Sequence, residues 1–414
     1  MTHVRRAARL AAGLAAIVVG GSSMKATAQV PTRFVQDRMA IGFWVDPPAG
    51  DGMEERYREI AAANFTLVIG GFGARTPETV RQQLALCEKY DLRAVVARAG
   101  LKSAELPESP ACWGYMLRDE PSAAGFAELR TQVDEIRAVR PGRFGYVNLF
   151  PNYANAKQLG TATYEEHVAR FADEVDTDVL SMDHYPMMQP KADSRSAYCD
   201  NLDVLRRQAL RKGVPFWNFF NCMPFGPHFD PTEDSLRWQI FTSLAYGAKG
   251  VLYFCYWTPR GGEFPKGGAI ITAEGRKTRH YDQARRLNAA VKALGPTLMQ
   301  LTSTDVIRLA TAAAAERLPA GTPVTAISGT PHGEYLLGLF RHQDGRRAVL
   351  LCNYDYHYTT WPTVEFDVEA GLVREVSQET GEETAVGDDS PDMPGLQLSL
   401  DAGAGRLFLL PPRP

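Results

Sequence analysis

The six cysteines, Cys87, Cys112, Cys199, Cys222, Cys255 and Cys352, include no Cys-x-x-Cys pair. That lack excludes metal sites built on closely spaced thiolates, and no structural zinc is expected. Cys112, Cys222 and Cys255 lie in apolar, strand-like runs, so buried thiols are expected rather than a disulfide framework. No glycine-rich phosphate loop follows the first strand-like run, which argues against a doubly wound nucleotide-binding sheet. Beyond residue 28 no apolar run approaches the roughly 20 residues that span a bilayer, so no integral membrane segment is expected there. A basic surplus is also missing: 45 Lys and Arg stand against 48 Asp and Glu, a net charge of -3. Such a chain is a poor candidate for binding nucleic acid.

What is present starts at the N-terminus. Arg5, Arg6 and Arg9 precede an apolar run from Leu10 to Val19, and small residues follow as far as Ala26-Thr27-Ala28. A charged n-region, an apolar h-region and an Ala-x-Ala site together predict a signal peptide over residues 1–28, cleaved near Ala28. The mature protein is then exported, to the periplasm or the medium. Cleavage removes four basic residues and no acid, taking the net charge from -3 to -7.

The remaining chain alternates apolar runs with amphipathic stretches. The runs fall at residues 40–44, 65–69, 93–97, 112–117, 144–149, 179–182, 214–220 and 250–256. Helical patterns lie between them, at 54–63, 77–90, 124–139, 164–174, 201–212 and 235–246. Eight strands, each followed by a helix or its equivalent, predict an α/β fold, a (β/α)8 TIM barrel over residues 29–298. The last barrel helix is expected over 281–294, with Gly295-Pro296 ending it. From there the periodicity shortens. Runs at 306–309, 324–328, 335–341, 348–353, 364–368, 373–377, 396–400 and 406–410 are separated by turn signals such as Asp344-Gly345 and Thr380-Gly381. They predict a small C-terminal antiparallel β-sandwich over 299–414.

A barrel of this kind carries its chemistry at the C-terminal ends of its strands. The fourth run closes on Arg118-Asp119-Glu120-Pro121. Pro121 biases Glu120 toward an extended backbone, and a carboxylate held there can serve as a general acid. Alternatively Asp119 or Glu120 caps the next helix, as acids favour helix starts. The sixth run closes on Asp183-His184-Tyr185, three groups able to bind hydroxyls or move protons, or else a structural Asp–His pair. Asn148 on the fifth run, Trp217, Asn218 and Asn221 on the seventh, Trp44 and Asp46 on the first, and Trp257 after the eighth supply amides and aromatics. Those suit neutral sugars, whose CH faces stack on rings and whose hydroxyls need paired donors and acceptors. Glu263, in the loop Arg260-Gly261-Gly262-Glu263, is either a second catalytic carboxylate or a solvated loop residue.

The segment 113–121 resembles the fourth-strand acid motif of clan-A-type barrel glycoside hydrolases, including family 42 β-galactosidases and agarase-like enzymes. Residues 237–257, with Ala245-Tyr246-Gly247-Ala248-Lys249-Gly250 and the closing Trp257, resemble their last helix–strand passage. The C-terminal β-domain is similar in placement. The resemblance implies cleavage of a glycosidic bond in an oligosaccharide, polysaccharide or glycoside, without a cofactor or metal, with Glu120 as acid. The strand-end reading adds Asp183 or Glu263 as its partner, and Trp44, Asp119, Asn148, His184, Tyr185, Trp217, Asn218 and Trp257 around the sugar. Two departures matter. Retaining enzymes of that clan carry a nucleophilic Glu at the seventh strand's end, where this chain reads Pro215-Phe216-Trp217-Asn218-Phe219-Phe220-Asn221-Cys222. Asp119 also stands where the clan usually has Asn. A missing nucleophile leaves an inverting mechanism, a non-catalytic sugar-binding barrel, or a sugar lyase or epimerase using Asp183, His184 and Tyr185.

Overall fold

The computed structural model describes residues 33–189, 193–262, 264, 268–309, 316–328 and 333–413. The expected signal peptide lies outside them. Among the described residues no helix is long and apolar enough to cross a membrane.

Eight parallel strands form one sheet: β1 (Ala40–Phe43), β2 (Leu67–Ile69), β3 (Arg93–Val96), β4 (Cys112–Asp119), β5 (Phe144–Leu149), β6 (Leu180–Asp183), β7 (Phe216–Asn221) and β8 (Gly250–Phe254). Their order runs β1-β8-β7-β6-β5-β4-β3-β2. Thr66 closes the ring between β1 and β2. Its amide donates to Ile41 O at 2.9 Å, its hydroxyl accepts from Ile41 N at 2.9 Å and donates to Met39 O at 2.7 Å. Helices α1 (Met53–Ala62), α2 (Pro77–Lys89), α3 (Phe126–Val139), α4 (Ala156–Leu159), α5 (Tyr164–Glu174), α6 (Arg195–Lys212), α7 (Glu233–Ala245) and α8 (Arg279–Met299) follow strands around the outside. This is the (β/α)8 barrel read from the alternating pattern.

Strand side chains alternate between the barrel interior and the helix layer. The interior is a packed core of large rings. Trp217 has Trp113 and Tyr146 each 6.0 Å away, centroid to centroid, and Phe144 at 5.7 Å. Gly250 makes room for it, since a Cβ there would come within 2.4 Å of the Trp217 ring.

One expected boundary is wrong. α8 does not stop at Gly295-Pro296 but runs through Pro296 to Met299. Gly295 faces Met39, and Lys249 donates from Nζ to the Leu298 and Leu301 carbonyls, supplying at the real end the cap that the sequence suggested earlier. Within the helix Pro296 only forgoes one amide bond, and neighbouring packing tolerates that.

The C-terminal third forms two antiparallel sheets. Six strands pair in the order β16 (Glu383–Ala385), β15 (Arg374–Val376), β18 (Gly405–Leu410), β13 (Arg347–Asn353), β12 (Tyr335–His342), β9 (Leu301–Leu309). Four more pair as β10 (Glu316–Arg317), β11 (Val324–Ser328), β14 (Thr363–Phe366), β17 (Leu396–Gln397). Leu337, Leu351 and Phe408 from one sheet and Val324, Ile327 and Val364 from the other fill the space between. The larger sheet lies on α7, which is why that helix has scarcely any polar side: Leu236, Trp238, Ile240, Phe241 and Leu244 are all buried. Gly338 permits the approach, because a Cβ there would sit 2.3 Å from Ala245 O.

Candidate active site

At the C-terminal ends of the barrel strands a cavity of about 190 Å³ is lined by Trp44, Asp119, Glu120, Asn148, Asp183, Tyr185, Phe219 and Phe254. Larger clefts lie at seams elsewhere: one of about 420 Å³ is lined by Phe34, Leu210 and Leu301, and one of about 570 Å³ by Asp200, Asp203, Arg206 and Arg308, whose opposite charges stand together.

Glu120 directly follows β4. The ladder shifts register between Met116 and Arg118, which re-aims the end of the strand. Glu120 then takes φ +46°, a left-handed conformation rather than the extended one its proline neighbour suggests. That costs a non-glycine residue about 1–2 kcal/mol. The bond from Glu120 N to Asn148 O, 2.8 Å, holds the residue there by extending the β4–β5 pairing one step. Neither Asp119 nor Glu120 caps a helix; the turn that follows opens on Ser122.

Three carboxyl groups meet in this pocket, with no lysine or arginine in its wall. Burial, and then the charge of Asp119, push the Glu120 carboxyl up to about 7. Asp183, 8% exposed, is held well above the usual carboxylate range by burial, then by Glu120 and Asp119; Tyr185 and Asn148 oppose the rise. Asp119 stays in contact with solvent at the mouth, and desolvation raises it against a bond from Asn148. Asn148 Nδ2 donates to both aspartates, at 3.0 Å to Asp183 Oδ1 and 3.3 Å to Asp119 Oδ1. The aromatic part of the wall starts with Trp44, whose ring stands 5.3 Å from Phe72 and 5.4 Å from Phe219. Tyr185 and Phe254 continue it, 5.2 Å apart.

Of the residues singled out in the sequence, Trp44, Asp119, Glu120, Asn148, Asp183 and Tyr185 come together here. The others do not. His184 follows Asp183, so strand alternation turns it outward, where its Nδ1 meets Asn201 Oδ1 on α6 at 3.0 Å. Burial pushes it down to about 4, leaving it neutral. Asn218 also points outward, donating to Tyr198 at 2.6 Å and Ser243 at 3.0 Å. Trp217 points inward but too low, fully buried, with its Nε1 bonded to Gln36 Oε1 at 2.9 Å. Trp257 is on the rim outside the cavity wall, with the Arg56 guanidinium 5.3 Å from its ring. Glu263 lies outside the described residues. Asp46, buried, accepts from the amides of Phe72, Gly73 and Ala74 and so fastens the loop after β2. Phe219 and Phe254 were missed by sequence reasoning. The signal was available in the alternation along β7 and β8, which turns both inward. All six cysteines are buried and unpaired. Among the described residues no cluster of His, Cys, Asp and Glu is arranged to hold a metal ion.

Residues 124–294 match the family model described as Beta-galactosidase, glycoside hydrolase family 42. The match starts just after Glu120 and takes in Asn148 and Asp183. No curated protein matches the chain in sequence. Among solved structures, the beta-galactosidase from Bacillus circulans sp. alkalophilus is 10% identical with a TM-score of 0.58, covering 90% of this chain and 99% of that one. The family 39 glycoside hydrolase from the gut symbiont Bacteroides cellulosilyticus WH2 is 13% identical with a TM-score of 0.51, covering 92% and 81%. The chain spans 60% of the length of the beta-galactosidase from the psychrophilic Marinomonas ef1, at 12% identity and a TM-score of 0.48 over 62% of this chain. Identities this low speak for the fold: the barrel and sandwich share the architecture of clan-A-type glycoside hydrolases.

Proposed function

We propose that this glycoside hydrolase-like barrel is an exported glycosidase in which Glu120 is the general acid and Asp183 its partner. The observation that carries the reading is the Glu120 carboxyl. It sits at a strand end, in an aromatic-walled pocket, and is raised to about 7 by burial and Asp119. A carboxylic acid still protonated near neutrality is what protonation of a glycosidic oxygen requires. The charge of Glu120 raises Asp183, so the ionisation of one carboxyl bears on the other. One member then acts as acid while the other is free to act as base. The cavity is below the ~300 Å³ at which sites for drug-sized ligands begin, which suits a single sugar ring. Trp44 and Phe254 offer faces for its CH surface, and Asn148, Asp119 and Tyr185 offer partners for its hydroxyls.

The test is a panel of disaccharides and alkyl glycosides, β-galactosides included, whose leaving groups need a proton, assayed with the mature protein and with Glu120→Gln. Turnover of at least one by the wild type, lost in the variant, is expected. A second reading, a sugar-binding barrel without chemistry, is favoured by β7 ending in Asn221 rather than an acid. Sugar binding in calorimetry with no turnover on any substrate would establish it instead. Export is tested by mass spectrometry of the secreted protein, which should start at or near Gln29.

A further inference from the structure

Three acids side by side without a cation need something to hold them in place. One residue touches all three. The main-chain oxygen of Asn148 accepts from Glu120 N at 2.8 Å, and its Nδ2 donates to Asp183 at 3.0 Å and Asp119 at 3.3 Å. Asn148 is itself 4% exposed, so water cannot substitute for these bonds. Its remaining side-chain atom, Oδ1, accepts from Ser181 Oγ at 3.1 Å. A serine has one hydroxyl proton. With that proton directed at Asn148, the Tyr146 hydroxyl, 2.9 Å from Ser181 Oγ, must be the donor to Ser181. Ser181 and Tyr146 are 0% and 1% exposed. The protons therefore run one way, from Tyr146 to Ser181 to Asn148 to the two aspartates. A flipped amide would turn Oδ1 onto two carboxyl groups and offer NH2 to a hydroxyl that needs an acceptor, so the chain selects one orientation.

We propose that Tyr146 and Ser181 are positioning residues that lock the Asn148 amide, so that both its hydrogens face Asp119 and Asp183 and hold these carboxyls in register with Glu120. The consequence is that two buried hydroxyls, out of reach of substrate, govern how the pocket's acids share protons. The titratable groups facing those acids are Glu120 and Asp119 from β4, Tyr146 from β5, Tyr153 after it, Tyr164 from α5, and Asp183 and Tyr185 from β6. A hydrogen bond donated to a carboxylate favours its charged form. Releasing the amide moves the aspartates toward higher pH.

The experiment is a carbon-detected NMR titration of side-chain carboxyls in the full mature chain, comparing wild type with Ser181→Ala and Tyr146→Phe. The two variants remove one hydroxyl each, so one remains informative if the other does not fold. The Asp119 and Asp183 midpoints should rise by about half to one pH unit in either variant. Glu120, held through its main chain, should move less. The kinetic arm rests on the glycosidase reading: the acid limb of the kcat/KM profile should move up with the midpoints while KM changes little. A wild type without glycosidase activity whose aspartates still shift in the variants would support the relay while sinking that reading. Folded variants with unmoved aspartate midpoints would overturn the relay.

Discussion

Glu120 at the end of β4 lines the same pocket as Asp183 at the end of β6, and its charge adds to the burial that raises the Asp183 carboxyl. The two carboxyls do not ionise independently. The first prediction addresses the acid. Glu120→Gln keeps the size and the main-chain bond to Asn148 but cannot deliver a proton. Turnover of a glycoside with an unactivated sugar or alkyl leaving group should fall about 10²–10⁴-fold. Sugar affinity, measured by calorimetry, should persist. Unchanged turnover in a correctly folded variant removes Glu120 from the mechanism.

The same carboxyl gives a prediction about stability. Its ordinary value is 4.5 and its folded value about 7, so the folded chain holds this proton more tightly than the unfolded one. The contribution to stability is full below 4.5 and is lost as pH rises through 7. Asp119 and Asp183, both raised, act in the same direction. Thermal unfolding of the wild type should therefore lose Tm from about pH 5 to pH 8. The Glu120→Gln curve should be flatter over that window. Parallel curves for the two proteins would contradict the raised carboxyl.

The barrel was legible because its strands are short apolar runs punctuated by amphipathic helices. Residues 144–149 coincide with β5, and the other seven runs overlap their strands within a few residues. The pocket was only half legible. Glu120, Asp119 and Asp183 stood out as charged residues closing apolar strands. His184, Asn218 and Trp217 lay in or just after apolar strands too, yet face the helix layer or lie deeper in the barrel. Alternation separates His184 from Asp183. Height separates Trp217 from Phe219, two residues and about 7 Å further up the strand. The left-handed Glu120 backbone was not legible at all, because it comes from a register shift between β4 and β5 that a single strand does not show.

The contact between barrel and sandwich supplies a third prediction. Gly338 on β12 lies against α7, where a Cβ would meet Ala245 O at 2.3 Å and Ala245 Cα at 2.8 Å. Backbone atoms cannot swing aside as a flexible side chain can. Gly338→Ala should therefore cost about 1–3 kcal/mol, the usual range for overpacking. Chemical denaturation measures it directly. A loss within error would mean that the sheet can slide on the helix without penalty.

The last prediction is stereochemical. A retaining glycosidase holds its two carboxyls about 5–5.5 Å apart, so that one can attack the sugar itself, whereas an inverting one spaces them roughly 6.5–9.5 Å apart to admit a water. β7, where a retaining barrel of this architecture is expected to carry its nucleophile, ends in Asn221, which is fully buried and has no carboxylate to attack with. The partner proposed above, Asp183, comes from β6, two strands round from Glu120. Asn148 stands between those strands and donates to Asp183, so the Asp183 carboxyl is held toward β5 and cannot turn freely to attack. A water placed between Asp183 and the anomeric carbon completes the reaction: Asp183 takes its proton, its oxygen bonds to the anomeric carbon, and Glu120 protonates the departing glycosidic oxygen. Inversion follows. NMR of the first-formed anomer, read before mutarotation, decides it: a product that keeps the substrate's anomeric configuration overturns the assignment of Asp183 as base. Asp183→Asn should then lower turnover about 10²–10⁴-fold with Glu120 intact, and equal activity in that variant would say the same.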